Sequence, residues 1–87
     1  MNENEFIKEV VRIARSFGYR IENKFRTTLV QIDFGHKKLH EGHLKAMFPQ
    51  ILQPGANVAR LIEDVAPGRP CAHQPMKKIL ARLTETV

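Results

Sequence analysis

The stretch Gly18-Tyr19-Arg20-Ile21-Glu22-Asn23-Lys24-Phe25-Arg26-Thr27-Thr28-Leu29-Val30-Gln31-Ile32-Asp33-Phe34-Gly35 decides the fold. Tyr19 and Ile21 alternate with polar residues, a polar Glu22-Asn23-Lys24 follows, and a second run extends from Phe25 to Phe34. In that run Val30, Ile32 and Phe34 share one side while Gln31 and Asp33 point the other way. A period of two is the mark of a half-buried strand, and Thr27, Thr28 and the β-branched residues favour strand over helix. The pair reads as an antiparallel hairpin turning near Asn23, and residues 37–40 can add a short third strand.

Helical patterns flank this segment. Upstream, Phe6, Val10, Ile13 and Phe17 recur at helical spacing, predicting a helix over Glu3 to Ser16 with one buried stripe. Asn2 can cap it, with Glu5 three residues on to complete a capping box, and Gly18 suits its left-handed end. Downstream, Leu44, Met47, Phe48, Ile51 and Leu52 are amphipathic, but Pro49 interrupts them. It removes a backbone donor and turns Phe48 away from helical angles, so a helix over Glu41 to Met47 should break there. Val58, Leu61, Ile62 and Val65 mark another helix, stopped by Pro67-Gly68. Met76, Ile79, Leu80 and Leu83 mark the last, with Pro75 as its first residue. The expected fold class is therefore α+β: an N-terminal helix, a hairpin of two or three short strands, then three short helices, as one compact domain over residues 1–87. Each apolar face finds cover in the other layer.

Composition narrows the function. A chain of 87 residues buries only about 60–65% of the surface its unfolded form exposes, leaving little room for a deep, dry active site. The single cysteine, Cys71, allows no internal disulfide. The acidic start Met1-Asn2-Glu3-Asn4-Glu5 is unlike a secretory leader, and no apolar run approaches the roughly 18 residues of a membrane span. A cytoplasmic protein with no membrane association is expected.

The net charge of +5 is unevenly placed. Between Arg12 and Lys45 lie eight basic residues against three acids, Glu22, Asp33 and Glu41; the remainder carries six of each. The whole excess thus sits in Arg12, Arg15, Arg20, Lys24, Arg26, Lys37, Lys38 and Lys45, with His40 and His43 among them. Such clustering is the footprint of a polyanion binder, although a small basic protein can carry it for solubility alone. Two surfaces suggest themselves. One is a ridge joining Lys8, Arg12 and Arg15 of the first helix to Arg20, Lys24 and Arg26 of the hairpin. The other is the segment Gly35-His36-Lys37-Lys38-Leu39-His40-Glu41-Gly42-His43-Leu44-Lys45, where lysines can reach phosphates.

The same residues admit other chemistries. His40 and His43 could face one zinc ion with Cys71 and His73, but no Cys-x-x-Cys pair supports it. His36, His40 and His43 qualify as general acids or bases by residue type only, and no nucleophile elbow, phosphate loop or dinucleotide fingerprint occurs. Tyr19 and Phe25 could stack on bases, though core positions suit them better. The helices flanking Pro67-Gly68-Arg69-Pro70 loosely suggest a helix-turn-helix with too long a connection. Binding is favoured over catalysis, with no cofactor and no metal. The expected partner is nucleic acid, or else an acidic protein surface contacted by a small inhibitor or adaptor of the type phages and mobile elements encode.

Over residues 5 to 52, Gly18-Tyr19 after a helix, a strand ending near Phe34, and Lys37-Lys38-Leu39-His40-Glu41-Gly42-His43-Leu44-Lys45 resemble the small HicA-type mRNA interferases. In those a strand leads into a Gly-x-Leu-(Arg/Lys) helix start. The resemblance implies their fold and an affinity for RNA. Their Gly-Ser-His segment with its catalytic histidine has no counterpart, since Lys24-Phe25-Arg26-Thr27-Thr28 stands in its place.

Overall fold

A computed structural model describes residues 1–23 and 30–85. Its elements run α1 (Glu3–Ser16), β1 (Arg20–Asn23), β2 (Val30–Asp33), β3 (Lys38–His40), α2 (Glu41–Met47), α3 (Val58–Val65) and α4 (His73–Glu85), with 3-10 turns at Gln50–Leu52 and Pro70–Ala72. The architecture is α+β, with an antiparallel sheet in the order β1-β2-β3.

Helix α1 starts where a side chain can satisfy its free amides. Asn2 Oδ1 accepts from the Glu5 amide at 2.8 Å, and Glu5 Oε1 accepts from the Asn2 amide at 3.4 Å. Gly18 closes it at φ +87°, a conformation that costs a residue with a Cβ more. Phe6, Val10, Ile13 and Ala14 are buried, but Phe17 is not part of the stripe as expected. As the capping residue it leaves the helical repeat and stays 38% exposed, with the Arg82 guanidinium 5.2 Å from its ring centre. Glu5 serves the cap, and the helix's ion pair is Arg12 with Glu9 at 2.7 Å.

The sheet register sorts its residues. Ile21, Ile32 and Leu39 are partners across the three strands and face the helices, with Ile32 and Leu39 fully buried. Arg20, Asp33 and Lys38 form the row on one side of it, and Glu22, Gln31 and His40 the row on the other. By alternation both rows lie on the outer face. Asn23 is still paired, with Val30, so β1 runs through the position expected to turn. The rest of the expected strand, from Phe25 to Leu29, lies outside the described residues.

Strand β3 passes directly into α2, which ends at Met47. Phe48, ahead of Pro49, adopts ψ 141°. Helix α4 begins two residues before the expected Pro75, because the 3-10 turn Pro70–Ala72 feeds straight into it through His73 at helical angles. Pro75 is tolerated there, since first-turn amides have no helical partner anyway. Leu44, Met47, Ile62, Met76, Ile79 and Leu83 complete one core with α1 and the sheet. Among the described residues no polar or charged side chain is buried in that core, and no helix is long and apolar enough to cross a membrane.

Candidate nucleic-acid interface

The basic excess divides into three places. The first is a groove beside α1, with a volume of about 750 Å³. Helical spacing puts Lys8, Arg12 and Arg15 on one line of α1, and that line forms its rim. Ile7 and Val11 lie one strip nearer the core and form the floor with Val30 of β2. Glu41, at the start of α2, closes the far side; the register that pairs Gln31 with His40 brings Val30 and Glu41 together. Lys8 and Arg15 make no ion pair among the described residues. Arg12 directs Nε and Nη2 at Glu9 Oε2, at 3.0 and 2.7 Å, which raises its pKa further through that hydrogen bond and its charge. Its Nη1 stays outside the pair. Glu41 stands 4.0 Å from Lys45, so that lysine offsets the acid next to the groove.

The second place is the outer face of the sheet, and it is not basic. Glu22 takes Lys38 at 2.9 Å and Arg20 at 3.9 Å, while Asp33 accepts from the Gly35 amide at 2.9 Å. Among the described residues two cations and two carboxylates share that face, so these contribute no net charge. The ridge expected to merge helix and hairpin cations therefore does not form from Arg20: its row faces away from the layer that holds α1. Lys24 and Arg26 lie outside the described residues. Lys37 is exposed in the bend before β3 and makes no ion pair among the described residues.

The third place is the junction of β3 and α2. The rings of His40 and His43 stack with centres 3.6 Å apart, and His43 Nδ1 accepts from the His40 amide at 3.2 Å. That bond gives α2 a start using a histidine where an acid or amide is usual. Arg69 reaches back to donate from Nε to the Lys38 carbonyl at 3.1 Å. Desolvation, then the neighbouring His40, then Arg69 push the His43 pKa down to about 4. His43 is thus a neutral acceptor at pH 7, not a cation. His40 Nδ1 is shielded from solvent without a hydrogen-bond partner among the described residues. His36 is exposed and apart.

The zinc arrangement weighed above does not assemble: among the described residues, no three His, Cys, Asp or Glu side chains converge. His73 instead faces Glu63 at 3.8 Å, and Cys71 packs partly buried against the core. Tyr19 also packs there, edge-on to Phe34 with ring centres 5.1 Å apart.

Lys8, Ile7, Val11 and Val30 belong to the groove although the charge count did not select them. Lys8 lies outside the basic stretch that opens at Arg12, but its place at i, i+4 and i+7 with Arg12 and Arg15 already puts it on the expected ridge. Arg69 had no such signal, lying 31 positions from the residue it bonds. The chain matches no family model, no curated protein and no solved structure. The comparisons thus lend no support to the resemblance to HicA-type interferases.

Proposed function

We propose that this protein is a small binding module that contacts nucleic acid through the α1 groove. The observation that carries the reading is the line Lys8, Arg12 and Arg15, two of them without an ion pair among the described residues, along an open concave surface. Cations already matched by carboxylates, such as Arg20 and Lys38, add little to a polyanion's binding. Unmatched ones displace condensed counterions and bind in proportion to their number. Direct binding to DNA and RNA at about 50 mM salt, where non-specific association is normally visible, tests it. Binding that weakens steeply with added salt is expected; no association with either polymer at that salt sinks the reading.

A second reading is favoured by the groove's apolar floor. Ile7, Val11 and Val30 beneath a basic rim also suit an acidic amphipathic segment of a protein, as expected for a small inhibitor or adaptor. This reading predicts a stoichiometric protein complex that survives nuclease treatment. The nucleic-acid reading predicts that such treatment disperses any complex.

A further inference from the structure

The groove's two sides differ in a way that bears on the form of nucleic acid it takes, if the nucleic-acid reading holds. A duplex offers phosphates, sugars and polar base edges, while its apolar base faces are hidden in the stack. Against a duplex the floor of Ile7, Val11 and Val30 would lose water and gain no apolar partner. An unpaired strand offers both surfaces at once: phosphates along one edge and base faces along the other. The groove matches that asymmetry, because among the described residues its cations are on the α1 rim and the opposite side carries a carboxylate.

We propose that the groove binds single-stranded nucleic acid, with phosphates along Lys8, Arg12 and Arg15 and bases laid on Val11 and Val30 with their amino edges toward Glu41. From Lys8 to Arg15 the helix rises about 10.5 Å. At about 3.4 Å per stacked nucleotide that accommodates about three. Glu41 gives the groove a base preference. A carboxylate accepts hydrogen bonds and donates none, so it takes the exocyclic amino group of cytosine, adenine or guanine, whereas uracil or thymine offers it only an N3–H flanked by two repelling carbonyls. Lys45 holds Glu41 from the solvent side, 4.0 Å away, and keeps it available as an acceptor. Ring stacking on aliphatic methyls substitutes for the aromatic platforms that single-strand binders usually present.

The test compares oligo-C, oligo-U, their DNA counterparts and a mixed-sequence duplex of equal length, at about 50 mM salt. Methyl NMR of Val11 and Val30 is followed during the titrations. Single strands should bind at least ten-fold more tightly than the duplex, and both valines' methyl signals should move upfield under the base rings. Oligo-C should outbind oligo-U several-fold, and Glu41→Gln, whose amide can also donate, should reduce that ratio toward one. Equal or tighter duplex binding with the methyl signals unmoved overturns the single-strand inference and leaves the nucleic-acid reading intact. Failure of every oligonucleotide to bind overturns both. An equal response to C and U in the native protein overturns the role of Glu41.

Discussion

At the scale of single residues, His43 shows how a fold can silence a charge that the sequence advertises. Counted with its neighbours it belongs to a histidine- and lysine-rich cluster; in the structure it is an uncharged acceptor stacked on His40. Its pKa, lowered from the ordinary 6.5 to about 4, makes the neutral ring the form that folding favours. The sign follows from linkage. The unfolded chain takes up this proton near pH 6.5 and the folded chain only near 4, so the contribution to stability is complete above 6.5 and is lost as pH falls through that window. An NMR titration of the His43 ring should show a midpoint near 4; one near 6.5 contradicts the stack's effect. Gly42 supports the arrangement, since an added Cβ would lie 3.1 Å from two atoms of the His40 ring. Gly42→Ala needs the His40 ring to give by a few tenths of an ångström, so the expected outcome is a loosened stack and a His43 midpoint moved up from about 4, read in the same titration.

At the scale of elements, caps and packing decide where helices and strands begin and end. Asn2→Ala removes the side chain that caps α1 and leaves the Glu5 amide unsatisfied, a loss of about 1 kcal/mol by denaturant titration. Ile32→Ala empties the centre of the buried sheet row and should cost about 2–5 kcal/mol, whereas Gln31→Ala on the outer face should cost under about 0.5. These elements were legible where one local rule acted alone. Asn2 with Glu5 set the start of α1, and Pro49 set the end of α2. They were less legible where neighbours competed. Phe17 has the right spacing for the stripe but sits past the last helical residue, and Pro75 looks like a helix start although the turn before it already supplies one. The three-residue strand β3 has too few residues for a periodic signal; pairing with β2 alone establishes it.

At the scale of the whole molecule, one charge total conceals three environments. The region between Arg12 and Lys45 was correctly identifiable as basic, but which of its cations remain unmatched depends on contacts between distant segments. Lys38 meets Glu22 across 16 positions, and sequence counting has no access to that pairing. The helical line Lys8, Arg12, Arg15 was visible because a helix converts spacing into position; the apolar floor beside it was not, because it needs β2 and α2 folded against α1. Under the proposed function this groove, and not the sheet's outer face, is where a polyanion binds. The most direct measurement is the salt dependence of single-strand binding in the native protein, in Lys8→Gln/Arg15→Gln, and in Arg20→Gln/Lys38→Gln. With phosphate contacts from the two unmatched cations, Lys8 and Arg15, the native slope of log affinity against log salt should be about −1.4, falling toward zero when both are neutralised. The Arg20/Lys38 variant should keep the native slope. A native slope retained without Lys8 and Arg15, but lost without Arg20 and Lys38, would contradict the account.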